Sequence, residues 1–243
     1  MDRPGLKSTG CDIALAQITH TSYPTRMSIF GSSKSRMVDP SDALPGHLEP
    51  IFTVTDAHAV LGSSLAGPWA VGTERIYLAM GCFWGAEEIY WPLPGVLSTS
   101  AGYMGGISPN PTYEEVCTGR TGHTEAISVT YDPAVLSTYE LLKVFWENHD
   151  PTQGYQQGND VGTQYRSAIF YTNDEQRDLI ERTRDAYAKV ISDRGYPAIT
   201  TQIGPASEQI YYYAEDYHQQ YLYKIPNGYR CHANTGLALP AIS

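Results

Sequence analysis

The chain is short of positive charge. Its 16 Lys and Arg face 26 Asp and Glu, a net charge of −10 over 243 residues. Nucleic acid phosphates are held by clustered Lys and Arg, so this balance excludes nucleic acid as a main partner. No apolar run reaches the roughly 18 residues needed to cross a bilayer, so no membrane partner is expected. The first residues lack the apolar core of a signal peptide, which makes a cytoplasmic monomer the expectation. Cysteine is scarce too: Cys11, Cys82, Cys117 and Cys231 are far apart, and no pair has zinc-knuckle or CxxC spacing. Such a set is no disulfide scaffold, and in a reducing compartment each is expected as a free thiol. Phe and Trp are few, at 5 and 4, whereas Tyr numbers 19. A tyrosine-rich chain can build pockets that are apolar on one side and hydroxyl-lined on the other.

Residues 1–70 are rich in Pro, Gly, Ser and Thr and show no sustained periodicity. They are expected to form an extension that wraps or dangles, with Met27 as an alternative start. Residues 71–243 are expected as a catalytic domain with a mobile tail from about residue 224. Within that domain, residues 75–80 form a short apolar strand, broken by Gly81, and residues 84–91 a helix stopped by Pro92 and Pro94. Residues 96–103 form a second strand and 112–117 a short helix. Alternation over 125–131 predicts a half-buried strand. Ser137 and Glu140 form a capping box for a helix to about residue 148. A long polar loop spans 149–166, a strand 167–172, and a helix capped by Asn173 runs to about 193. A strand over 199–203 and a helix over 211–223 complete the series. The order predicts an α+β fold, a ferredoxin-like split βαβ core with helices over a mostly antiparallel sheet.

Cys82 falls where a strand ends and a helix begins. Unpaired amides and the positive helix end favour a thiolate there. A lone Cys after a strand is more often simple core, but Phe83 and Trp84 place two large rings beside this one. The stretch GCFWGAE from Gly81 to Glu87 resembles the signature of peptide methionine sulfoxide reductase A. So do Tyr103-Met104-Gly105-Gly106, Asn110-Pro111-Thr112-Tyr113, Thr121-Gly122-His123-Thr124-Glu125, Gly158-Asn159-Asp160, Gly162-Thr163-Gln164-Tyr165-Arg166-Ser167, His218-Gln219-Gln220-Tyr221 and Asn227-Gly228-Tyr229. These blocks occur in order over residues 75–235. The segment 41–46 also looks like the N-terminal extension of longer family members.

The resemblance implies reduction of methionine S-sulfoxide, with Cys82 as nucleophile and Glu125 as the acid that protonates the leaving oxygen. That role requires a raised pKa, so Glu125 should be partly buried. Tyr113 and Tyr165 match residues that hydrogen-bond the sulfoxide oxygen, Asp160 matches a pocket-lining polar residue, and Phe83 and Trp84 would hold the methyl group. Attack leaves Cys82 as a sulfenic acid, which a second thiol captures as a disulfide. Cys231 is the candidate, in a glycine-containing tail. Many relatives carry Cys directly after the Gly-Tyr pair; here Arg230 intervenes. A further family cysteine precedes the C-terminal proline, and Leu239 stands in its place. The cycle implied is a Cys82–Cys231 disulfide reduced by thioredoxin, or by a dithiol such as DTT in vitro, with oxidised proteins as substrates and no bound cofactor or metal. Cys117 reads as packing and Cys11 as part of the variable extension. A thiol peroxidase would share the cysteine pair but need no methyl cage. A metal module drawing on His123, His149, His218 or His232 lacks zinc-type spacing.

Overall fold

The computed structural model describes residues 33–231 and 233–242. Cys11, Met27 and His232 lie outside them. Regular structure starts where hydrophobic alternation starts. Strand β1 (Glu74–Met80) turns Ile76, Leu78 and Met80 to one face and Tyr77 and Ala79 to the other. It lies between β3 (Thr124–Tyr131) and β6 (Ser167–Tyr171), antiparallel to both. The register sets Leu78 opposite both Ile127 and Ile169, so like faces meet. Strand β2 (Val96–Met104) adds to the other side of β3. The order β6-β1-β3-β2 is the ferredoxin-like split βαβ expected from the chain order. Two short strands extend the sheet: β7 (Gln202–Pro205) parallel to β6, and β8 (Tyr212–Tyr213) antiparallel to β2. A ribbon of β4 (Gln156–Gln157) and β5 (Asp160–Val161) stands apart, inside what the sequence presents as loop.

Helix α1 (Phe83–Tyr90) crosses from β1 to β2, and α2 (Tyr113–Cys117) lies between β2 and β3. α3 (Thr138–Glu147) and α4 (Asp174–Ser192) pack on the large-residue face of the sheet, and α5 (Tyr221–Lys224) is a last single turn. Leu141, Leu142, Phe145 and Trp146 of α3 and Ile180, Tyr187 and Ile191 of α4 are buried there. The expected capping box opens α3: the Ser137 hydroxyl accepts from Glu140 N, and Ser137 N donates to Glu140 Oε2. Asn173 caps α4 in the same way, accepting from Gln176 N at 2.8 Å.

Three expectations are corrected. β3 is buried along its whole length rather than on one face. Its Ala126 packs with Ala79, Met104, Ala168 and Phe170 in a second cluster on the far face, against Tyr77, Tyr211 and Ala206. The strand near 199–203 forms later, at Gln202–Pro205. Residues 211–223 are not one helix. Pairing with β2 draws Tyr212 and Tyr213 into the sheet, a 3-10 turn takes Asp216–His218, and Gln220 at φ 47 interrupts before α5.

The described part of the extension wraps. Leu44 N donates to Arg120 O, His58 Nε2 lies 2.8 Å from Thr99 Oγ1, and Leu65 is buried. The tail is irregular but packed: Leu239 is buried and its amide donates to Glu147 Oε1.

Replacing Ser137 by Ala removes the acceptor for Glu140 N and is expected to cost ~1 kcal/mol. Urea unfolding should show a lower midpoint with an unchanged slope, and turnover should be unaffected.

Candidate active site

Gly81 ends β1 at φ 92, and a Cβ there would come within 2.6 Å of Gln157 Cγ, so only glycine makes this turn against β4. The turn delivers Cys82 to the N-cap of α1, where it is 4% exposed. The helix start does not leave the thiol acidic. The Trp84 amide pulls its pKa down, but burial pushes it up, and Glu125 and then Asp160 push it further. The net displacement is well above the ordinary thiol value, because amide dipoles at one helix end do not offset dehydration beside two carboxyl groups.

Glu125, at the start of β3, is 1% exposed. Its Oε2 accepts a hydrogen bond from Phe83 N at 3.1 Å, which ties it to the residue after Cys82. Burial raises its pKa well above the carboxylate range, the Phe83 amide opposes this, and Asp160 adds to it. Burial likewise raises the phenols of Tyr113 and Tyr165, with Glu125 the next cause in each, so both hydroxyls stay protonated. Asp160 is buried and accepts from Tyr229 Oη at 3.1 Å.

Phe83 and Trp84 are each 1% exposed and form walls rather than an open surface. Phe83 lies 4.9 Å from the His218 ring, 5.8 Å from Tyr103 and 6.5 Å from Tyr113, centre to centre. Trp84 stacks on Tyr221 at 4.0 Å and donates its Nε1 hydrogen to His218 Nδ1 at 2.9 Å. Burial keeps His218 neutral, with its pKa well below the usual range. Glu215 joins two walls: it accepts from Tyr103 Oη and from Tyr113 N, both at 2.8 Å.

Cys231 is half-buried, and its thiol donates to Gln157 O at 3.3 Å. The same Gln157 side chain packs on Gly81, so one residue of β4 separates the two cysteines' backbones. Cys231 is near enough for its charge to be felt at Cys82. Both thiols are free, whereas Cys117 is disulfide-bonded and not the free packing thiol expected. Linear spacing carries no information on such pairing, and the expectation that all four cysteines are free thiols is corrected at Cys117.

The other singled-out histidines serve loops. His123 accepts from Gly106 N and sits 2.8 Å from Ser108 O, and His149 bridges Phe145 O and Ser167 Oγ. Among the described residues, no group of three His, Cys, Asp or Glu side chains gathers as metal ligands. No helix among them is long and apolar enough to cross a membrane.

The family model for peptide methionine sulfoxide reductase matches residues 74–242. The chain belongs to that family. It is 57% identical over 210 residues to the peptide methionine sulfoxide reductase MsrA of Salinispora arenicola, spanning 85% of this chain and 94% of that protein. The MsrA of Rhodospirillum centenum is 56% identical over 214 residues, covering 88% of this chain and 96% of the relative. Among solved structures, methionine sulfoxide reductase A of Corynebacterium diphtheriae superposes with a TM-score of 0.73 at 49% identity, over 85% of this chain and all of that one.

As a methionine sulfoxide reductase, an oxidoreductase, the chain brings Cys82, Phe83, Trp84, Tyr113, Glu125, Asp160, Tyr165 and Cys231 into or beside one box. The sequence reading missed Tyr103, Glu215 and Tyr229 as individual parts of it, gave Tyr221 no role beyond its motif, and weighed His218 beyond its motif only for a metal module. The signal was present only in the motif blocks, because their contacts come from elements far apart in sequence.

Glu125→Gln is expected to change how stability depends on pH. A carboxyl whose folded pKa is raised holds a proton that the unfolded chain releases above its own pKa. The wild type therefore loses stability as pH rises through that window. The amide variant does not titrate, so its stability relative to wild type should rise between about pH 5 and 8, read by urea unfolding at both pH values. A constant difference would contradict the raised carboxyl.

Proposed function

We propose that Cys82 attacks the sulfur of a methionine S-sulfoxide while Glu125 protonates the oxygen. The observation that carries this reading is the Glu125 carboxyl held by the Phe83 amide next to Cys82 in a box of aromatic rings. Tyr113 and Tyr165 supply further protonated donors for the S=O group, and Asp160 completes the polar side. Phe83 and Trp84 enclose the methyl group. The thiol gives up its proton as the new S–S bond forms, and Glu125 gives one to the oxygen. Collapse of that adduct breaks both the new S–S bond and the methionine S–O bond as the hydroxyl passes to the Cys82 sulfur, and the thiol's proton replaces the one Glu125 gave up. It leaves methionine and a Cys82 sulfenic acid, so methionine is reduced by two electrons and the thiol oxidised by two.

The Cys231 thiol then displaces water from the sulfenic acid and forms a Cys82–Cys231 disulfide. In this reading the tail moves to let the sulfurs meet. A thioredoxin-type dithiol resets the pair by exchange, itself becoming a disulfide. A raised Cys82 pKa fits a thiol that is activated only when a sulfoxide oxygen draws the nearby proton.

Cys82→Ser should abolish turnover of both free and peptide-bound substrate. Glu125→Gln should lower kcat by about 10²–10⁴-fold, the usual contribution of a positioned acid. Cys231→Ser should release one equivalent of methionine per enzyme and then stall with thioredoxin. Quenched-flow assays on both sulfoxide epimers, followed by peptide mapping, check each step. Turnover of the R epimer alone, or a disulfide from Cys82 to Cys117, would overturn the scheme.

A further inference from the structure

A groove of about 470 Å³ lies on the surface beyond the box. One wall is the segment carrying Pro50, Phe52 and Val54, and the other is the chain from Ile210 to Tyr213 that includes β8. Ile51 and Ile210, beside it, are 61% and 64% exposed. Among the described residues, no backbone hydrogen bond joins residues 50–54 to 210–213.

The floor is a sheet edge. β8 is the last strand in the order, and it meets β2 with Tyr212 opposite Tyr103 and Ala214 N donating to Ala101 O. In an antiparallel ladder, alternate residues turn their N–H and C=O to opposite sides. Tyr213, and by the same alternation Tyr211, therefore present theirs to the groove. The edge is held in place: Tyr211 Oη donates to Ser100 O at 2.8 Å, and Tyr213 Oη to Leu65 O at 3.1 Å. The facing wall is held as well. Asn110, at φ 44, donates its side-chain N–H to His47 O at 2.9 Å, just before the wall segment begins.

The groove neighbours the box along the chain: Asn110 and Pro111 line it, and Thr112 then leads directly to Tyr113. On the other wall Tyr212 pairs with Tyr103, whose ring packs on Phe83. A fixed strand edge with open amides and apolar walls, one residue pair away from the sulfoxide box, suits one ligand, an extended polypeptide. We propose that this groove holds the chain flanking a methionine sulfoxide, added as a strand on β8 with an apolar side chain between the walls. The proposal rests on reading the Cys82 box as the sulfoxide site, and it makes unfolded or locally extended oxidised segments the preferred substrates.

Three S-sulfoxide substrates test it on the full chain: a blocked single residue, a heptapeptide with Leu and Val around the sulfoxide, and that heptapeptide with N-methylated flanking amides. The wild type should show a KM about tenfold lower for the plain heptapeptide than for the blocked residue, and N-methylation should remove the advantage. Ile210→Asp and Phe52→Asp should each remove it too, with kcat and the blocked residue's KM unchanged. Equal KM for all three substrates, or variants that raise KM for the blocked residue as well, overturn the groove while leaving the box intact. If the wild type turns over none of them, the reading of the box itself fails. Loss of the peptide advantage only on mixing with a second copy, seen as dimerisation on gel filtration, assigns the groove to self-association and overturns the proposal.

Discussion

A carboxyl group deprived of water stays neutral unless a partner compensates its charge. Glu125 has one backbone amide, that of Phe83, and otherwise lies buried near Asp160 and the Cys82 thiol. That single hydrogen bond does two things. It anchors the carboxyl to the first residue of α1, so acid and thiol share one rigid frame. It is also too weak an opposing influence to keep the group ionised, so a proton is stored next to sulfur. The aromatic walls follow from the same constraint. Phe83, Tyr103, Tyr113 and the neutral His218 ring keep water away, and Glu215 stitches two of those walls together by hydrogen bonds from Tyr103 and Tyr113.

Sheet topology makes this arrangement possible. Splitting the βαβ unit places β3 between β1 and β2. The N-terminal end of β3, which carries Glu125, therefore comes beside the C-terminal end of β1, where Cys82 follows. Residues more than forty positions apart become neighbours without any long loop having to be fixed at the site. Every strand of the core supports that junction through like-with-like faces, large residues toward the helices and Ala79, Ala126 and Ala168 toward the opposite side.

What could be read in the sequence followed the range of the interaction involved. The capping box at Ser137 and Glu140 and the Asn173 cap are local, and both form as read. The strand-helix-strand order produced the core topology because split βαβ units leave few ways to connect. The end of the chain was less legible. Tyr211, Tyr212 and Tyr213 carry no marker that distinguishes a helix start from an edge strand, and β2 decides between them. Cys82 illustrates a different limit. Its helix-start position was visible, but the opposing dehydration depended on Glu125, Asp160 and rings brought in from other elements. The disulfide at Cys117 was invisible for the same reason.

The tail's anchor has its own consequence. The Arg230 guanidinium grips Glu88 with two contacts of 2.6 Å and also donates to Pro226 O and Gly228 O. Glu88 belongs to α1, the same helix that Cys82 caps. With a rise of about 1.5 Å per residue, roughly 9 Å of helix separates Cys82 from the point where the tail is moored. Cys231 is the next residue along the chain. Its backbone is thereby tied, one residue away, to the helix that Cys82 caps. In the proposed cycle a tether that short raises the local concentration of the Cys231 thiol at Cys82 above that of a thiol in solution. The internal thiol of that cycle is favoured over thiols in solution through an ion pair that touches neither sulfur.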